Sequence, residues 1–345
     1  MKSTKLYWIA APLLCLGTVI LYRSAVAEEL PHASANAETS MTRGFKESSL
    51  AVLRRAGGAN RQAVADTLLE PVCAAPCESA SRADTGKALQ ASHSNWALEV
   101  TGDGSAARFQ DREVQKRARS IAVTNATATK QQSNKWVNAG RSFIASRLAS
   151  VIVLGPDEQL VPLRTDYRVE GGYNALTHKT TRSVVANRVV FGRTIHGVPV
   201  VGGGSTVVVT FANDGALESY QYDWPQYESS GTRNLANVDV LLQRVQKVVG
   251  ARTPGVAASS SAQSPIRKNP DGVELANNTT LLKMECGYFD PGAGARPDGG
   301  PVQPGCVYHA VRKNENGTRS GYAGAVPAAS EIESDPQWPE SLILK

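Results

Sequence analysis

Histidine is scarce and never clustered. The five residues, His32, His93, His178, His196 and His309, lie far apart, and no H-E-x-x-H, H-x-x-H or H-x-H pair occurs. Zinc sites need grouped His, Cys or carboxylate ligands, so neither a metal nor another cofactor is expected. The G-x-S-x-G signature of α/β-type serine hydrolases is also missing. Gly202-Gly203-Gly204-Ser205 lacks the last glycine and runs into Thr206-Val207-Val208-Val209, which is strand text. No lysine follows these glycines and no helix is signalled after them, which excludes a phosphate cradle of the strand–loop–helix kind. Aromatics amount to 6% of residues. No dense Lys/Arg patch is interleaved with them, so nucleic acid is not an expected partner. The carboxylates of Asp157, Glu158, Asp214 and Asp223 sit in or near turns and show no pairing that marks acid–base work. An enzyme is therefore not expected.

Long apolar runs are confined to the start. Lys2 and Lys5 precede the apolar stretch Leu6–Tyr22, which ends in Arg23-Ser24-Ala25-Val26-Ala27. This basic–apolar–small-residue order is that of an export signal over residues 1–27, cleaved after Ala27. A secreted or periplasmic protein without a stable membrane anchor is the expectation. Removing Lys2, Lys5 and Arg23 takes three positive charges from a formal +6, leaving +3. Cysteine is also rare: beyond Cys15, only Cys73, Cys77, Cys286 and Cys306 remain. An even number in an exported chain points to disulfides, with Cys73–Cys77 and Cys286–Cys306 the natural pairing of the three that sequence permits. Cys306 lies near His309, but a bridged sulfur is no nucleophile.

Residues 28–92 are rich in Ala, Ser, Arg and Glu and poor in aromatics. They read as low-complexity and mostly disordered, with short helical pieces such as Val64 and Leu68. A first α+β unit is expected over 93–228. It has a hairpin at Gly102-Asp103-Gly104 and a helix over about 133–149 with Trp136, Gly140, Phe143, Ile144 and Leu148 on one face. Strands follow at Arg182–Ile195, Val198–Val201, Thr206–Phe211 and Leu217–Trp224, the last two joined by the turn Asn213-Asp214-Gly215. Tyr220, Tyr222 and Trp224 share one strand face, either packed on the helix or open as a ligand platform. After a linker at 226–236, a second α+β unit is expected over 229–330. Its helix spans Val238–Val249, with Asn237 as cap, and a flexible insertion covers 251–272. Strands resume at Thr279–Phe289, Cys306–Lys313 and Gly321–Pro327, and 331–345 forms a tail.

The stretch Gly197-Val198-Pro199-Val200-Val201-Gly202, the valine-rich strand Val207–Phe211 and the Asp214-Gly215 hairpin resemble the propeptide modules (FTP/PepSY-like) of thermolysin-type and fungalysin-type metallopeptidases. That resemblance implies two cystatin-like units, each a helix on an antiparallel sheet, here stand-alone without a peptidase domain. It also implies a non-catalytic binding module that inhibits or assists a secreted peptidase. The expected partner is a protein or peptide, added as an extra strand over Thr194–Ser205. The candidate ligand-binding residues are Gly197, Pro199, Gly202, Gly203, Gly204, Tyr220, Tyr222 and Trp224. Two other classes remain open at this point: an envelope-associated enzyme acting on a cell-surface polymer, and a structural envelope protein.

Overall fold

A computed structural model describes residues 42–331, except 44, 46, 59, 71–79, 102, 118–120, 123–129, 175–178, 252–266, 270–271, 276–277, 293–299 and 315. Strand accounts for 55% of the described residues and helix for 20%. The elements in chain order are β1 (Thr42–Arg43), β2 (Ser49–Arg55), α1 (Arg61–Leu69), β3 (Ser81–Asp84), β4 (Ala88–Ser92), β5 (Trp96–Thr101), β6 (Ala106–Asp111), α2 (Arg112–Lys116), β7 (Ile121–Ala122) and α3 (Lys130–Arg147). They continue with β8 (Glu158–Asn174), β9 (Lys179–Ile195), β10 (Val198–Val201), β11 (Thr206–Ala212), β12 (Leu217–Asp223), β13 (Tyr227–Asn234), α4 (Val238–Ala251), β14 (Arg267–Asn269), β15 (Gly272–Leu275), β16 (Thr279–Phe289), β17 (Gln303–Lys313) and β18 (Arg319–Pro327).

The first half of the sheet runs β3-β4-β5-β6-β12-β11-β9-β8, antiparallel throughout. Its register explains the alternation in sequence. Thr165, Val189, Val209, Tyr220, Phe109, Leu98 and Ala91 pair across successive strands on the inner face. One residue along, Arg164, Val190, Val208, Gln221, Arg108, Glu99 and Gln90 form the matching row on the outer face. The inner face is covered by α1 through Val64 and Leu68, and by α3 through Trp136, Ile144 and Leu148. Phe109 stacks on Tyr220 at 5.2 Å and Trp136 on Phe211 at 5.6 Å. Each such fully buried side chain contributes about 1.5–3 kcal/mol by leaving water. Gly140 lets α3 approach, since a Cβ there would lie 2.7 Å from the Phe191 ring.

The second half runs β14-β15-β16-β17-β18, with α4 packed on it through Leu241, Leu242, Val245 and Val249. Asn237 caps α4: its Oδ1 accepts from the Val240 N–H at 3.0 Å. β17 takes one edge of β16, and β15, β1 and β10 share the other along its length. The β10 contact is parallel, pairing Val200 with Tyr288 and Val201 with Phe289. It joins the two halves into one mixed 16-stranded sheet, beside a separate β13–β2 ribbon.

These pairings overturn the expectation of two cystatin-like units. The molecule is mostly β, with α1 and α3 together rather than one helix on the inner face of the first half, and its halves share a sheet. The expected boundaries shift accordingly. From Ser49 onward, the stretch read as mostly disordered supplies β2, α1, β3 and β4, and Ala65, Leu68, Leu69, Leu89 and Ala91 enter the first core. Its low average hydrophobicity concealed a few well-placed apolar residues. The expected linker at 226–236 contains β13, which pairs with β2. The insertion at 251–272 ends in β14 and the start of β15, its middle lying outside the described residues. Cys286 and Cys306 are directly opposite on β16 and β17 and form a disulfide. Cys73 and Cys77 lie outside the described residues, as do the export signal and all of the tail but Glu331.

Candidate functional site

The glycine-rich stretch sits where the two halves of the sheet meet. His196 (φ 50°) and Gly197 (φ 78°) form the tight turn between β9 and β10, with nothing near the position of a Cβ on Gly197. Pro199 begins a close backbone crossing: a Cβ on Gly287 of β16 would lie 2.0 Å from its carbonyl oxygen. Gly202 adopts φ 107°, and a Cβ on it would lie 2.3 Å from the Asp290 carbonyl oxygen. A Cβ on Gly203 would meet the Pro291 carbonyl oxygen at 2.7 Å. Gly204 donates its N–H to the Asp290 carbonyl at 2.9 Å. Gly202 and Gly203 are therefore small because another backbone passes over them, and Gly204 because the Asp290 carboxylate lies against it. The strand edge expected to receive a partner over Thr194–Ser205 is instead paired, at Val200 and Val201, with the chain's own β16.

Under this crossing lies a buried polar cluster. Arg55, at the end of β2, donates from Nη2 to Asp290 Oδ1 at 2.8 Å, from Nε to Asp290 Oδ2 at 3.2 Å, and from Nη2 to Asp223 at 3.3 Å. Tyr227 donates its hydroxyl to Asp290, and its oxygen accepts from Ser205, 2.8 Å away. Ser205 is fully buried and holds φ 53°, a left-handed conformation rare for a residue with a Cβ. Arg193 of β9, also buried, lies over the rings of Trp224 at 4.0 Å and Tyr227 at 5.2 Å. It donates to the Pro225 carbonyl at 2.8 Å and lies 3.5 Å from Glu158. Burial would lower the Arg55 pKa, but Asp290 and Asp223 hold it above its ordinary value. Burial first, and then Asp290, push the Tyr227 hydroxyl well up. Both groups therefore keep their protons across the physiological range, and the cluster acts as a fixed set of donors and acceptors.

An open cleft of about 350 Å³ adjoins this junction on the outer face of the sheet. Its floor carries Glu99, Arg108 and Gln221, in register across β5, β6 and β12, with Thr101 and Asp223. Gly203, Pro291 and Gly292 form the facing wall. Both signs of charge, an amide and a hydroxyl thus line one trough. Such a surface suits a polar chain of mixed charge better than an apolar molecule or a phosphate.

Of the residues singled out from sequence, Gly203 and Tyr222 line this cleft, while Gly202 and Gly204 pack behind it. Tyr220, Tyr222 and Trp224 do share a face, but they are only 4%, 1% and 2% exposed and belong to the first core. Of the two readings of that aromatic face, packing prevails over an open platform. Trp224 also donates its ring N–H to the Val153 carbonyl at 3.1 Å. Gly197 and Pro199 lie at the β10 turn and crossing, not in the cleft. Arg55, Asp290, Tyr227, Glu99, Arg108 and Gln221 escaped the sequence reading. The one local signal was Arg193, a cation between Phe191-Gly192 and Thr194-Ile195 in a largely buried strand. Comparison with protein-family models gives no match, and comparison with curated proteins gives none.

Proposed function

We propose that this is an exported, non-catalytic binding module that holds a stretch of another polypeptide in the cleft beside Gly203. The observation that carries the reading is the in-register row Glu99–Arg108–Gln221, facing a wall of backbone at Gly203, Pro291 and Gly292. Alternating charge and amide on a sheet face match the donors, acceptors and side-chain charges of an extended chain. Three groups of nucleophilic type are in keeping with a non-catalytic role. The Ser205 hydroxyl is buried against Tyr227, and Cys286 and Cys306 are joined. The partner class that the propeptide resemblance implies is an exported peptidase, inhibited or assisted by the module.

The test titrates a panel of secreted metallopeptidases against the immobilised protein, following binding and residual peptidase activity. Arg108→Glu and Glu99→Arg are exposed reversals that should each weaken binding by about tenfold while lowering stability by less than about 1 kcal/mol, the cost of one exposed like-charge cross-strand pair. Unchanged affinity in both variants, or no binding across the panel, would contradict the proposal.

A further inference from the structure

The outer edge of β8 has no strand beside it among the described residues, although its inner edge pairs with β9 from Glu158 to Asn174. Open edges of this length are normally protected, because their free N–H and C=O groups accept other chains. β8 carries charges on the face away from α3. Ser133 and Gln132 of α3 hydrogen-bond Thr165 and Tyr167 on the helix side, which leaves Arg164, Asp166, Arg168 and Glu170 on the other. Within the chain Asp166 already pairs with Arg164 and Arg188, and Arg168 with the buried Glu218, so Glu170 and the outer side of Arg164 carry the charge offered to a neighbour. The order of these charges is +, −, +, − about Tyr167. An antiparallel copy of the same strand centred on Tyr167 places Arg164 opposite Glu170 and Asp166 opposite Arg168, twice each. The same register sets Leu163, the bulged residue of β8, opposite Gly171, and Pro162 opposite Gly172. Large apolar groups then meet residues with no side chain. Leu163 is half exposed and, with Val153 and Leu154, is one of the three exposed large hydrophobic residues among those described.

We infer that β8 is a homodimer interface, in which a second copy of this chain adds antiparallel to β8 about a two-fold axis at Tyr167 and extends the sheet. Such a contact is isologous: Arg164 faces Glu170 of the other copy twice, and an unrelated strand with a different charge order meets like charges. The surface is separate from the cleft at Gly203, so this interface stands or falls independently of ligand binding there.

Analytical ultracentrifugation of the purified protein tests it. The wild type is expected to sediment as a dimer. Arg164→Glu and Glu170→Lys should each raise the dimer dissociation constant by about tenfold or more, because each puts like charges opposite in both symmetric pairs. An equimolar mixture of the two variants, and the double variant Arg164→Glu/Glu170→Lys, should regain the dimer, since both restore opposite charges. Unchanged unfolding midpoints would show that the losses are not failures to fold. A wild type that stays monomeric up to roughly 0.1 mM, or a dimer indifferent to the single reversals, would overturn the inference.

Discussion

The carboxylate of Asp290 occupies the space that a side chain on Gly204 would need: a Cβ there would lie 2.3 Å from its Cγ. The two residues belong to opposite halves of the sheet. Gly204 follows β10 and Asp290 follows β16, and the Gly204 N–H bonds the Asp290 carbonyl. Gly204→Ala should therefore force the halves apart and destabilise the fold by about 1–3 kcal/mol or more, as overpacking does. Gly197→Ala has open space and only its φ of 78° against it, and should cost about 1 kcal/mol. Urea unfolding of the two variants compares the effects.

Removing the carboxylate itself should be worse. Asp290→Ala leaves the buried Arg55 guanidinium without its bidentate partner and exposes the cost of a charge taken out of water. The expected loss is about 3–5 kcal/mol by chemical denaturation. Replacing Arg55 by Met in the same background should recover part of it, because the stranded charge is then gone.

Two tyrosines on neighbouring segments should respond in opposite ways. The Tyr222 hydroxyl is buried without a hydrogen-bond partner among the described residues, so Tyr222→Phe should change stability by less than about 0.5 kcal/mol, or improve it. The Tyr227 hydroxyl links Ser205 to Asp290, so Tyr227→Phe should cost about 1–3 kcal/mol. Melting temperatures of the pair decide the matter.

Asp103 supplies a pH dependence. Burial would raise its pKa, but the Ser105 hydroxyl and N–H and the Thr101 hydroxyl bond the carboxylate and hold it below its ordinary value. The folded state thus favours the charged form. Its contribution is complete above the unfolded value of about 3.9 and is lost as pH falls through the depressed folded value. Asp103→Asn should melt earlier than wild type at pH 6, and the gap should close as the pH is taken below about 4.

Local pattern revealed the parts of this fold that local physics determines. The apolar face of α4 and its Asn237 cap, the α3 face through Trp136 and Leu148, and the turn at Asn213-Asp214-Gly215 were all readable. So was the Cys286–Cys306 pair. What escaped were contacts between distant residues. Arg55 meets Asp290 across a separation of 235 residues, and neither carries a periodic signal. β2 was hidden because the stretch around it is polar and poor in aromatics, even though Leu50 and Leu53 are almost wholly buried, and α1 showed only as a short helical piece at Val64 and Leu68. The Gly202–Gly204 run was legible as backbone that must bend or be closely approached, but what approaches it lies some ninety positions on, at Asp290 and Pro291. The cleft was not legible at all. Glu99, Arg108 and Gln221 become neighbours only through strand register.

The central claim, that the cleft holds a polypeptide, is tested most directly by site-specific photocrosslinking in the cell that makes the protein. A photoreactive residue is placed at Gln221 in the cleft floor and, as control, at the exposed Lys313 at the end of β17. The account predicts a discrete polypeptide adduct at Gln221 that is absent at Lys313 and lost with Arg108→Glu. Identical adducts at both positions, or none at Gln221, would contradict it.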